Sequence, residues 1–149
     1  MPIIKDKQIL ENHWSFIADD QTLSANDIIV SLTRWNKDQN AIQNHTGKVG
    51  IRLTPGDTLD TLDNAANAAV IELDFPAFND GRLFSLARLL RDAHDYQGEI
   101  RAVGKFLADQ VFYLHRVGVD SFELNEARDI EVAQAALHDF SVRYQGSTR

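Results

Sequence analysis

Arginine supplies the clearest chemistry in this chain. Arg82, Ser85, Arg88 and Arg91 recur at every third residue after the loop 75–82 (FPAFNDGR), and Arg101 interrupts a short apolar run, EIRAV. Planar guanidinium groups bind carboxylate, sulfite-like or phosphate oxyanions through paired N–H donors. Arg82 and Arg101 are therefore the candidate anion ligands, with Asp80 and Ser85 beside the first of them. Ser85 reads as a helix N-cap, with Phe84 and Leu89 as a hydrophobic staple, and free N–H groups at such a helix start add to anion affinity. Arg88 either joins the anion ligands or pairs with Asp92 and Asp95 on a solvated surface, whereas Arg91 is expected to make those surface pairs. Asp109, next to Gln110 in the early turns of a later helix, pairs with Lys105 or reaches an arginine across the sheet edge. No residue is assigned a catalytic role.

Other chemistries find little material. The histidines, at 13, 45, 94, 115 and 138, show no metal-ligand spacing. Asp74 and Glu123, at the ends of strands, could meet a hard cation, but the arginines between them would repel it, so no metal is expected. Cysteine is absent, which excludes disulfides, thiolate-held iron–sulfur clusters, Cys-zinc sites and a thiol nucleophile. No dinucleotide, Walker or nucleophile-elbow motif occurs. Flavin, whose sites can be built without a motif, stays open as a cofactor. A net charge of −7 argues against nucleic acid as a partner. No apolar run reaches membrane-spanning length and the first residues lack a basic, then apolar, leader, so cytoplasm is the expected compartment.

The elements that must position these side chains alternate regularly. Strands are expected at 28–32, 49–53, 70–75, 99–103 and 119–124. Between and after them come helical stretches at 35–44, 57–66 (capped by Asp57 or Thr58), 86–93 (Leu86, Leu89, Leu90, Ala93), 107–114 and 130–140. Gly118 falls where a helix C-cap glycine belongs. Residues 1–24 read as a hairpin-like extension, and residues 75–124 hold the core motifs of a single α/β domain spanning 1–149.

Alternation along the strands chooses the architecture. One face carries Ile51, Leu53, Ile71, Leu73, Ile100, Ala102, Phe122 and Leu124; the other carries Arg52, Glu72, Asp74, Glu99, Arg101, Ser121 and Glu123. A doubly wound sheet, covered by helices on both faces, should be apolar on both. The expected fold is therefore a parallel sheet of about five βα units, open and TIM-barrel-like, with helices mainly on one side. A flavodoxin-like doubly wound sheet is the alternative, since five units in this length is its usual size. If sheet order follows chain order, Arg52, Glu72, Arg101 and Glu123 form a ladder of alternating charge. That ladder is either a set of structural ion pairs or the frame of an oxyanion site. Residues 1–24 or a second subunit in a homo-oligomer could cover the charged face.

The segments FPAFNDGR, FSLARLLRD, YQGEIRAVG and LADQVFYLHRVGVDSFEL together resemble a bacterial family, domain of unknown function nine hundred and thirty-four. The matching motifs are Phe75-Pro76 with Asp80-Gly81-Arg82; Ser85 with Ala87-Arg88; Gly98-Glu99 with Arg101-Ala102 and Gly104; and Asp109-Gln110, Gly118 and Phe122. Leu83 stands where that pattern has a small residue, and Leu86 where glutamine is frequent. Members are often encoded beside the haemoprotein subunit of assimilatory sulfite reductase, and some carry an oxidoreductase label. The resemblance thus implies sulfur assimilation and sulfite reduction, with the haemoprotein as partner. An accessory protein that binds the haemoprotein or supports its electron supply is the leading expectation. The alternatives are a small oxyanion-binding enzyme or sensor and a flavin-dependent electron-transfer protein.

Overall fold

In the computed structural model, the described residues are 2–6, 8–62, 64–77, 81–107, 110–124, 129–135 and 137. Asp80, Asp109 and Phe140 lie outside them. The chain opens with β1 (Pro2–Lys5) and β2 (Gln8–Glu11), an antiparallel hairpin turning at Asp6, whose φ is +53°. Then follow β3 (Ser15–Phe16), β4 (Ile28–Ser31), α1 (Leu32–Lys37) and α2 (Gln39–Gln43). Next come β5 (Val49–Leu53), β6 (Val70–Phe75), α3 (Arg82–Asp92), β7 (Glu99–Gly104), α4 (Val111–Arg116) and β8 (Ser121–Glu123). A last helical segment occupies 129–135.

Among the described residues, eight strands join one mixed sheet in the order β2-β1-β8-β7-β6-β5-β4-β3. From β3 to β8 neighbours run parallel and follow chain order without a break. A doubly wound sheet reverses its order inside the parallel run. No such reversal exists here, so the flavodoxin-like alternative does not describe this sheet. Nor is the sheet wholly parallel, because β1 pairs antiparallel with both β8 and β2. The first two strands therefore extend the main sheet rather than sitting apart from it.

The two faces divide as the alternation predicts. Ile28, Val30, Ile51, Leu53, Ile71, Leu73, Phe75, Ile100, Ala102 and Phe122 share one core with Trp35 of α1, Leu83, Leu86, Ala87 and Leu90 of α3, and Val111 and Leu114 of α4. Ala133 and Leu137 from the last helical segment join it. Ile3, Ile29, Val70 and Val103 are equally buried but lie outside that cluster, on the opposite face. The described helices thus pack on one side only. Phe75 fixes the centre of the core, with Phe84 and Phe106 each 5.9 Å away between ring centroids.

Chain connectivity requires the sheet to curl. Strands β2 and β3 are its two outer strands, yet only residues 12–14 separate them. Eight strands laid flat would set the outer two about 34 Å apart at roughly 4.8 Å per step. Four Cα–Cα steps reach at most about 15 Å. The sheet therefore bends until its edges approach, with the polar face inside and the helices outside.

Several local expectations change. The stretch 57–66 is not a helix but two 3₁₀ turns, Leu59–Thr61 and Ala65–Asn67, and Asp57 instead accepts from the Thr54 amide at 2.8 Å. Helix α3 starts at Arg82 after Gly81, so Ser85 lies inside the first turns and is not the N-cap; its amide donates to Gly81 O at 3.4 Å. The buried stripe is Leu83, Leu86, Ala87 and Leu90, while Leu89 is 46% exposed. Leu107 precedes α4 and is exposed. Gly118 does follow α4 in a left-handed conformation, φ +109°.

Candidate functional site

The inner face is organised by register. Ser31, Arg52, Glu72, Arg101, Ser121 and Lys5 follow one another across β4, β5, β6, β7, β8 and β1 as successive register partners. Three members of the expected ladder, Arg52, Glu72 and Arg101, stand in that row. The fourth position is Ser121; Glu123 lies one row on, in register with Ile3. The two-residue pleat separates them, since Ser121 and Glu123 project to the same face from successive positions.

Pairing within the row splits into two groups. Arg52 holds Glu72 through Nε and Nη2, both at 2.9 Å from Oε1, and its guanidinium lies 4.2 Å from the centroid of the Phe16 ring. Burial pushes Glu72 above the usual carboxylate range, with Arg52 opposing the shift. Arg101 turns along its own strand to Glu99: Nη2 donates to Oε2 at 2.7 Å and Nε at 3.1 Å. Ser121 Oγ donates to the same Oε2 at 2.6 Å, and Lys5 Nζ reaches Oε1 at 2.9 Å. Burial pushes Glu99 upward, yet the bonds from Ser121, Arg101 and Lys5 outweigh it and hold the carboxyl below its ordinary value.

Residues 12–14 cross this face. Asn12 Oδ1 accepts from Arg101 Nη1 at 3.3 Å, and Asn12 Nδ2 donates to Glu123 at 2.5 Å. On the other side His13 Nε2 meets Asp27, just before β4, at 2.9 Å. The bond from the Lys48 amide, followed by that from His13, lowers the Asp27 pKa. Beneath this crossing is a cavity of about 380 Å³, lined by Ile3, Lys5, Leu10, Glu11, His13, Trp14, Lys48, Ala69, Glu99 and Arg101. Lys48, Ala69 and Glu99 lie at the starts of β5, β6 and β7, so the cavity sits at the amino ends of the parallel strands.

The predicted ligands are dispersed. Arg101 is 2% exposed and lines the cavity. Arg82, Ser85 and Arg88 are exposed on α3, beyond the carboxyl end of β6, and the lining includes none of them. Glu123 is half-buried and tied to Asn12. Lys5, Asn12, Trp14 and Lys48 join the site without having been expected there. The expectation that residues 1–24 could cover the charged face pointed toward the first three, without naming them, and nothing pointed to Lys48.

Arg91 departs furthest from expectation. It does not make surface pairs with Asp92 and Asp95. Nη1 donates to Tyr96 O and Gly98 O, Nε and Nη2 both to Gly118 O, and Nη2 also to Asp120 at 2.5 Å. All five of its donors are used to fasten the chain entering β7 to the chain entering β8. It is a structural clamp.

The profile of a family described as bacterial protein of unknown function (DUF934) matches residues 50–149. The chain belongs to this family. That DUF934 match runs from the second residue of β5 through β8, and takes in Arg52, Glu72, Glu99, Arg101 and Ser121. Lys5, Asn12, Trp14 and Lys48 fall before it. No curated protein matches the chain. Among the described residues, no helix is long and apolar enough to cross a membrane.

Proposed function

We propose that this chain is a cytoplasmic accessory protein of assimilatory sulfite reduction that binds a small oxyanion inside its curled sheet. One observation carries the oxyanion part: two cations, Lys5 and Arg101, share a single carboxylate, Glu99, on the wall of the 380 Å³ cavity. That trio has a surplus positive charge, and adding Lys48 and Glu11 from the same lining leaves the surplus in place, in a chain whose net charge is −7. The inner strand face as a whole sets Lys5, Arg52 and Arg101 against Glu72, Asp74, Glu99 and Glu123, so the surplus is local to the cavity. Bidentate guanidinium chemistry at Arg101 favours a sulfur or phosphorus oxyanion or a carboxylate.

The accessory role rests on the sequence resemblance, which brings the sulfite reductase haemoprotein as the proposed partner. The unbroken parallel order from β3 to β8, with helices outside, supports reading the sheet as an open relative of βα barrels.

Calorimetry with sulfite, sulfate and phosphate tests the anion site. Binding that weakens in Lys48→Ala and Lys5→Ala supports it, and flat traces for all three anions would remove it. Co-purification with the haemoprotein tests the partner. No association, together with unchanged sulfite reduction in a deletion strain, would remove the accessory role.

A further inference from the structure

The cavity is larger and more apolar than an inorganic anion needs. A volume of about 380 Å³ falls in the range of small organic ligands, roughly 300–1,000 Å³. A water molecule takes about 30 Å³ in the liquid. A tetrahedral oxyanion of a few heavy atoms would leave much of the space to solvent.

The lining combines two chemistries. Lys5, Lys48 and Arg101, with Glu11, Glu99 and His13, make up the polar lining, leaving a net positive charge, while Ile3, Leu10, Trp14 and Ala69 supply apolar surface. Ile3 is 4% exposed and belongs to the inner face, not to the helix-side core. Trp14 is half-buried, and its ring stacks on His13 at 5.6 Å between centroids with planes 30° apart. A flat π-surface beside cationic groups suits a flat, acidic ligand.

The charged end has donors available. Among the described residues, Arg101 directs Nε to Glu99 and Ser121, one Nη2 hydrogen to Glu99 and one Nη1 hydrogen to Asn12. A guanidinium has five N–H donors. One hydrogen on each terminal nitrogen therefore has no partner among the described residues, on a side chain that lines the cavity.

We propose that the site takes an organic monoanion, a carboxylate or sulfonate carried on a flat unsaturated ring. Its charged group meets Arg101 and Lys5, and its ring lies against Trp14, Ile3 and Leu10. This deepens the oxyanion reading and rests on it. The single-residue crossing contacts of Asn12 and His13 place Trp14 over the cavity, so the ring wall and the charged wall are held by the same short segment.

The test is a titration of the full chain with benzoate, benzenesulfonate, phosphate, sulfite and neutral benzyl alcohol, followed by calorimetry and tryptophan fluorescence. Benzoate or benzenesulfonate should bind at least about tenfold more tightly than phosphate or sulfite, a difference of about 1.4 kcal/mol. Trp14→Ala should erase that preference, while Trp14→Phe keeps most of it and controls for damage to the fold. Equal binding of inorganic and aryl anions overturns this inference and leaves the oxyanion reading standing. Benzyl alcohol binding as tightly as benzoate also overturns it, because charge would then play no part. No binding by any anion removes both.

Discussion

Glu99 and Arg101 stand two residues apart on β7, face the same side of the sheet, and meet at 2.7 Å. Each is largely withdrawn from solvent, with side-chain exposures of 14% and 3%. The pleat brings them together, because residues i and i+2 of a strand share a face. Lys5 and Ser121 complete the group from β1 and β8, so one carboxylate ties three neighbouring strands.

That carboxylate should make the fold sensitive to acid. The folded pKa of Glu99 lies below its unfolded value of about 4.5. Its stabilising contribution is therefore complete above the unfolded pKa and is lost as pH falls through the folded one. Glu72 has the opposite sign: its raised pKa means stability declines as pH climbs from the ordinary carboxylate value through the folded one. Urea unfolding between about pH 3 and pH 8 checks this. Glu99→Gln should lose stability most near neutrality, with the difference from wild type shrinking at the acid end. A difference independent of pH would contradict the assignment.

Replacing Arg91 should cost more than replacing any other arginine of α3. Arg91→Ala leaves Tyr96 O, Gly98 O, Gly118 O and the Asp120 carboxylate without their shared donor. A loss of about 3 kcal/mol is expected for breaking such a partly buried cluster. Arg91→Lys should recover less than half of it, because three ammonium donors cannot reproduce a five-donor planar fork. Arg88→Ala, on the exposed side, should stay within about 0.5 kcal/mol. Chemical denaturation of the three variants measures the ranking.

A methyl group at position 104 should be poorly tolerated. Gly104 has φ +89°, and an added Cβ would lie 2.5 Å from the Phe75 carbonyl oxygen of the neighbouring strand. Both the left-handed backbone and the backbone contact penalise Gly104→Ala, by about 2 kcal/mol or more. Gly56 is the control, since a Cβ there meets nothing within 4 Å. Gly56→Ala should change stability by no more than about 0.5 kcal/mol. Equal thermal shifts in the two variants would sink the explanation.

Strand positions and the division of the two faces were legible because they depend on local alternation. Val49–Leu53 and Val70–Phe75 fall where their apolar periodicity places them, and Arg52, Glu72 and Arg101 share a register row as chain order implied. Non-local features were not legible. Nothing near Arg91 in sequence points to Gly118 and Asp120, which a strand and a helix separate from it. Equally, Asn12 reaches Arg101 across 89 residues, so the cavity it helps to roof had no local signature. Ser85 misled because Ser followed by apolar spacing suits an N-cap, whereas the helix begins three residues earlier at Arg82. Arg82 and Arg101 looked like partners through residue type alone; the fold sets one beyond the carboxyl end of β6 and the other beside the amino-end cavity.

The central claim is that an anion enters the hollow of the sheet at Arg101. Crystals of the full chain grown or soaked with sulfite offer the most direct measurement. Density for the anion within about 3 Å of the Arg101 terminal nitrogens, with Lys5 or Lys48 nearby, is the predicted result. Anion density at the start of α3, near Arg82, with the cavity holding none would contradict the account.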